Sequence, residues 1–213
     1  MEYKALRTAY AQPERRENLT VIFYLSSRAI QIVYMPGYPF TPPFSIQPVL
    51  ENAQIKLIPL KAEDFERLYA VASDPAIWQM HPNKNRYQRD VFETFFEGAL
   101  QSGGAFLCQA MPAGTLAGCT RFYNYEPGEQ SIFIGYTFYA TRFWGTGLNA
   151  EVKHLMLDYI FRFVRTVYFH IGAENYRSQK AIDKLGAIKL REEWVAYYGE
   201  PDRLNFVYGI HRP

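Results

Sequence analysis

Apolar residues recur along the chain in two rhythms, a period of two that marks strands and a period near 3.6 that marks amphipathic helices. Ile55-Lys-Leu-Ile-Pro-Leu60 predicts a strand, and Lys61-Ala-Glu-Asp64 opens a helix carrying Phe65, Leu68, Tyr69, Val71 and Ala72. A second helix is predicted over 87–100, with Val91, Phe92, Phe95, Phe96 and Leu100 at helical spacing, and Gly103-Gly104 ends it. Strands over 105–111 and 116–123 flank Pro112-Ala-Gly114, a hairpin signal, and a third strand, Ser131–Tyr139, follows the loop Glu126-Pro-Gly-Glu129. Beyond a glycine-containing loop over 141–147 come a helix over 149–163, a strand over 166–171 and a helix over 175–185. Strands near 195–198 and 204–210 close the chain. Two helices, three antiparallel strands and then alternating elements predict an α/β domain with a mixed sheet.

The first fifty residues do not share this pattern. Residues 1–18 are polar and mixed in charge, and an apolar run follows. Met35-Pro-Gly-Tyr-Pro-Phe-Thr-Pro-Pro-Phe44 then carries four prolines, which forbid a helix and disfavour an interior strand. The boundary is drawn between Pro48 and Gln54. Residues 1–52 are read as an accessory or partly disordered arm, and 53–213 as the domain. The arm could be a leader, a strand added to the main sheet, or a segment that packs on a partner.

Composition removes several function classes. Hydrophobic residues make up 48% of the 213, so the chain has the material for a buried core. The net charge is only +2 and basic residues do not cluster, which argues against a nucleic-acid partner. No apolar stretch is long enough to span a bilayer, and the short piece over 21–25 makes a poor signal peptide, so a cytoplasmic protein without a membrane partner is expected. Cys108 and Cys119 lack metal or redox spacing, and His81, His154, His170 and His211 lack ligand spacing. No metal is expected, and the histidines read as structural. The sequence leaves monomer and homodimer open.

Chemistry concentrates in Arg142-Phe-Trp-Gly145-Thr-Gly147-Leu-Asn149, between a strand and a helix. Two glycines let a ligand approach the backbone, and the first N–H groups of a helix lack internal partners, so the segment suits a phosphate. A plain glycine turn would look the same. A Walker loop fails, because Leu148 follows Gly147. The dinucleotide pattern G-x-G-x-x-G/A is met only formally by Gly145, Gly147 and Ala150, and the domain does not open with this unit. The pattern R/Q-x-x-G-x-G/A is met in full.

That pattern resembles the pyrophosphate loop of the GNAT acetyltransferase superfamily. Ile134-Gly-Tyr-Thr-Phe138 resembles the I-G-Y strand of its ribosomal-protein N-terminal acetyltransferases, the RimJ/RimL type. Asn175-Tyr-Arg-Ser178, with Lys184-Leu-Gly186 downstream, resembles their N-x-x-S helix. The resemblance covers about Gln54 to His211. It implies a mostly antiparallel sheet that splays between its fourth and fifth strands, flanked by helices. It also implies acetyl-coenzyme A as co-substrate and an amine acceptor, either a small molecule or a protein N-terminus.

By the same resemblance Phe138 and Tyr139 line the pantetheine arm. Arg142, Gly145, Thr146, Gly147, Leu148 and Asn149 serve the pyrophosphate, and a backbone N–H of the fourth strand meets the oxyanion. Asn175 would hydrogen-bond the arm, Ser178 would protonate the departing thiolate, and Arg177 and Lys180 would meet the ribose phosphate. Asn175 also fits a plain helix cap. Tyr123 and Tyr136 are the best acceptor-pocket candidates among aromatics that are mostly core. Where many relatives carry an acidic residue before I-G-Y, this chain has Phe133. Glu126 and Glu129 could substitute through water, but nothing selects either, so the base stays unassigned. The alternative to an acetyltransferase is a non-catalytic acyl-coenzyme A sensor or partner-binding module. A nicotinamide oxidoreductase ranks third.

Overall fold

The computed structural model describes residues 43–197, 199 and 201–213, together with the backbone of 19–26 and 29–36. Two compact units divide after Pro43. In the first, β1 (Leu19–Ser26) and β2 (Ala29–Pro36) pair antiparallel along their whole length as a separate two-stranded sheet, from Leu19 opposite Pro36 to Ser26 opposite Ala29. The polar leader and most of the proline-rich string lie outside the described residues.

The second unit holds an eight-stranded sheet. Its strands are β3 (Leu50–Glu51), β4 (Ile55–Pro59), β5 (Ala105–Ala110), β6 (Thr115–Glu126), β7 (Ser131–Tyr139), β8 (Thr166–Gly172), β9 (Ile188–Val195) and β10 (Arg203–His211). The spatial order is β3-β4-β5-β6-β7-β8-β10-β9, and every pairing is antiparallel except β7 with β8. Residues just ahead of β3 belong to this unit. The Phe44 ring stacks on Phe163 with centroids 4.4 Å apart, and the Tyr159 hydroxyl donates to the Ser45 carbonyl at 2.6 Å.

Four helices cover the two faces. α1 (Phe65–Ala72) and α2 (Arg89–Gln101) lie on one, because Leu68, Ala72, Phe92, Phe95, Phe96 and Ala99 fall on single helical stripes and pack with Leu107, Cys119 and Phe138 of the sheet. Trp78 fills the same layer without exposure and donates its indole N–H to the Ala72 carbonyl at 2.7 Å. α3 (Leu148–Ile160) buries Val152, Met156, Leu157 and Ile160 against Ile132, Ile134, Val167 and Phe169 on the opposite face, where Ile182 of α4 (Tyr176–Asp183) joins them.

The ninth strand departs from the sequence expectation, which put a strand near 195–198. β9 runs over Ile188–Val195 instead, and Tyr198 lies outside the described residues. It forms the outer edge of the sheet, where apolar Ile188, Leu190 and Trp194 are exposed together with Lys189, Arg191 and Glu192, so its residues mark no buried face.

Candidate active site

The parallel pairing of β7 with β8 lasts three residues, Ser131 with Thr166, Ile132 with Val167 and Phe133 with Tyr168. Past that point the strands separate, and a cleft of about 810 Å³ opens between them. Its size lies within the 300–1,000 Å³ or so usual for ligand sites. One end is formed by the loop ahead of α3 and by α4, the other by side chains of β6, β7 and β8 and of the segment before α2.

At the loop end the geometry is made by backbone. Gly145 and Gly147 have φ of +73° and +88°, a left-handed conformation that disfavours any side chain, and a Cβ built on either meets nothing within 4 Å. Open space therefore lies against the main chain, where the Ala150 N–H donates to the Gly147 carbonyl at 2.9 Å and the Leu148 N–H to Thr146 Oγ1 at 3.4 Å. Gly145, Gly147 and Asn149 line the cleft. Thr146 and Leu148 do not: the Thr146 hydroxyl donates to the Phe143 carbonyl at 2.8 Å and Leu148 points into the core. Arg142 also stays out of the cleft. It is exposed and reaches the Leu116 carbonyl at 3.3 Å.

Opposite the loop stands α4. The Asn175 side chain lines the cleft, is 4% exposed and accepts from the Ser178 N–H at 3.1 Å, so it caps the helix. Arg177 lays its guanidinium 3.8 Å over the Trp144 ring, whose indole N–H donates to the Tyr139 carbonyl at 3.1 Å. Ser178 and Lys180 line the same wall, and Phe138 and Tyr139 face it from β7. Backbone donors, open glycines and cations at one end of a long cleft fit an extended pyrophosphate ligand such as acetyl-coenzyme A.

The other end is built from side chains. Tyr136 sits in a bulge of β7 with φ of +51°, where Gly135 faces Arg121 and Phe138 faces Cys119 across the sheet, giving β7 one residue more than β6. The Arg121 guanidinium lies 3.9 Å over the Tyr136 ring and donates to the Gly98 carbonyl at 2.9 Å. The Tyr123 ring crosses Tyr136 edge-on at 5.0 Å, and both tyrosines line the cleft with His81, Arg86 and His170. Burial, with the Arg86 and Arg177 charges, keeps His81 neutral and draws its pKa down to about 3. Glu126 and Glu129 do not line the cleft, and the Glu126 carboxylate accepts from the nearby Gly128 N–H at 3.2 Å.

Between the two ends sits a residue that sequence reasoning missed. Lys153 of α3 is 3% exposed, lines the cleft, and donates to Thr137 Oγ1 at 2.7 Å and Thr120 Oγ1 at 3.0 Å. Neither partner is a carboxylate. Burial pulls the amine from an ordinary 10.5 down to about 8, while neighbouring Cys108 and Cys119 act the other way. The available signal was its place beside Val152 and Met156 on the buried stripe of α3. The two thiols are themselves buried and free, and burial pushes Cys119 up to about 12. Among the described residues no group of three His, Cys, Asp or Glu side chains could hold a metal ion, and no helix is long and apolar enough to cross a membrane.

Residues 54–188 match the family described as the acetyltransferase (GNAT) domain. No curated protein matches the sequence. Among solved structures, a GCN5-related N-acetyltransferase from Brucella melitensis is 19% identical with a TM-score of 0.67, over 78% of this chain and 79% of its own. A candidate ribosomal-protein-serine acetyltransferase from Vibrio cholerae is 17% identical with a TM-score of 0.60, over 81% and 100%. Spermidine N-acetyltransferase from Vibrio cholerae, solved with CoA and spermine, is 15% identical with a TM-score of 0.57, over 75% and 96%. At these identities the likeness is one of fold.

Proposed function

The chain belongs to the GNAT acetyltransferase domain family, and we propose that it moves the acetyl group of acetyl-coenzyme A to a primary amine by direct attack in a ternary complex. The observation that carries this reading is the separation of β7 from β8 after Phe133 and Tyr168, which leads from the left-handed Gly145 and Gly147 to an aromatic pocket at Tyr123 and Tyr136. Within it, the N–H groups of Gly145, Gly147 and Asn149 hold the pyrophosphate. Arg177 and Lys180 meet the ribose phosphate, and β7 beside Phe138 and Tyr139 lines the pantetheine arm. Asn175, already a helix cap, presents its remaining polar atoms to that arm, and Ser178 is the candidate donor to the departing sulfur.

The acceptor we favour is a protein N-terminal amine. The I-G-Y strand and the N-x-x-S helix support it, as does the Vibrio cholerae neighbour named for ribosomal-protein serine. The spermidine enzyme marks the competing acceptor class. Thiol release from acetyl-coenzyme A, followed with a serine-initiated peptide and with spermidine as acceptors, separates the two. Peptide turnover with a free but not a blocked N-terminus is expected. Saturable acetyl-coenzyme A binding without turnover on any amine would favour the non-catalytic sensor.

A further inference from the structure

We infer that Tyr123, His170 and Glu193 form the proton exit of the acyl-transfer site, with the Tyr123 hydroxyl taking the proton of the incoming ammonium and His170 and Glu193 passing it to water. The inference rests on the acetyltransferase reading and supplies the base that the sequence leaves unassigned. The three side chains come from β6, β8 and β9 and make one file. Tyr123 Oη lies 3.2 Å from His170 Nδ1, and His170 Nε2 lies 3.8 Å from Glu193 Oε2. Tyr123 and His170 both line the cleft, His170 two residues past the last rung of the β7–β8 pairing.

The far half of the file is unfinished in a telling way. His170 Nε2 is buried and without a hydrogen-bond partner, and it faces Glu193 Oε2, which Arg191 also holds at 3.1 Å. Buried polar atoms are nearly always satisfied, so an unpartnered imidazole nitrogen facing a fixed carboxylate marks a contact that a small movement would close. The His170 side chain is 5% exposed and the Glu193 side chain 40%, so the file leads from the cleft to the surface. Phe133, standing where an acidic residue is common in relatives, packs its ring 4.3 Å from the imidazole and limits how it can turn.

Around His170, β6 contributes Tyr123, β9 contributes Glu193 and Arg191, β7 contributes Phe133, and Val207 of β10 lies opposite in register; His81 and Arg86 line the same cleft. Burial is the largest influence and lowers its proton affinity. Glu193 opposes this, and Arg191, 3.1 Å from the same Glu193 oxygen, adds to it. The imidazole is therefore neutral at neutral pH and free to accept. Tyr123 Oη takes one proton of the ammonium as its own passes to Nδ1, and the Nε2 proton leaves toward Glu193 and water. The freed amine pair forms the C–N bond as the C–S bond breaks. Of the two protons left on nitrogen, one ends on the coenzyme sulfur and one stays on the amide.

The first test needs no acceptor. A long-range proton–nitrogen spectrum of the 15N-labelled full chain at neutral pH should show His170 in its neutral Nε2–H form. An Nδ1–H form would overturn the relay, because Tyr123 would then have no acceptor. With the amine that the acceptor screen identifies, His170→Asn and Tyr123→Phe should each lower kcat by about 10²–10⁴-fold, the usual worth of general acid–base catalysis. The dissociation constant of acetyl-coenzyme A should stay within about twofold, since base catalysis acts on the chemical step rather than on binding. In the wild type kcat should rise as pH climbs through the lowered His170 value, and that limb should vanish in His170→Asn. Wild-type kcat or an unchanged limb in both folded variants would overturn the proposal. A wild type inactive on every amine would instead sink the acetyltransferase reading, with the spectrum still judging the relay.

Discussion

The two ends of the cleft are made of different material. At the loop end the chain offers main-chain donors and empty space, fixed by the left-handed turns at Gly145 and Gly147. At the other end it offers interlocked side chains. Arg121 stacks on Tyr136, Tyr123 meets Tyr136 and His170, and Arg86 lies over Trp78, Phe95 and Tyr197. A backbone site tolerates loss of the side chains around it, whereas a side-chain site depends on each member. One end is suited to a ligand that never changes, and the other to discrimination between acceptors.

That contrast can be strained most at the seam, where Lys153 keeps a cation without a carboxylate partner. Its proton affinity falls from 10.5 unfolded to about 8 folded, so between those values the unfolded chain binds the extra proton and stability rises with pH. Below pH 8 the buried charge costs on the order of 3 kcal/mol. Lys153→Met should therefore raise unfolding stability near pH 7 by about 1–3 kcal/mol, because Thr120 and Thr137 keep their mutual 2.8 Å hydrogen bond. Denaturant melts from pH 7.5 to 9.5 should rise in the wild type and lie flat in the variant. A less stable variant would mean the amine is held by more than the two hydroxyls.

A smaller effect is expected from the cation stacked beside the loop. Arg177→Ala removes a charge beside the proposed phosphate site and uncovers Trp144, and should weaken acetyl-coenzyme A about fivefold in calorimetric titration. The smallest is expected from Arg142, although it opens the loop motif. It lies outside the cleft, so Arg142→Ala should leave the dissociation constant within about twofold, as expected of an exposed residue without a ligand contact. A large loss there would show that the motif arginine turns inward when ligand binds.

The same division explains what the sequence made legible. The glycine loop is readable because left-handed backbone restricts the residue type, and α2 is readable because Phe92, Phe95, Phe96 and Ala99 share one buried stripe. The parting of the fourth and fifth domain strands was expected only through the family resemblance, and it lies between β7 and β8. The acceptor end was readable only at Tyr123 and Tyr136, which line it. His170 sits in a run that reads as an ordinary apolar strand, and its partners Tyr123 and Glu193 are far off in sequence on other strands. Arg121 and Lys153 were hidden because burial of a charge leaves no periodic mark beyond the apolar stripe it interrupts. β9 was misplaced because Glu192 interrupts its alternating Ile188, Leu190 and Trp194, which lie exposed on an edge strand.

The central claim is that backbone at the start of α3 holds the pyrophosphate of acetyl-coenzyme A. Calorimetric titration of acetyl-coenzyme A into the wild type and Asn149→Glu tests it most directly. Asn149 lines the cleft in the first turn of α3, where a carboxylate favours the helix and opposes a bound phosphate. The account predicts saturable wild-type binding and a loss of about 100-fold in a variant that melts no lower, the size of effect a charge repulsion of a few kcal/mol produces. Equal binding by both proteins, or none by the wild type at millimolar ligand, would contradict it.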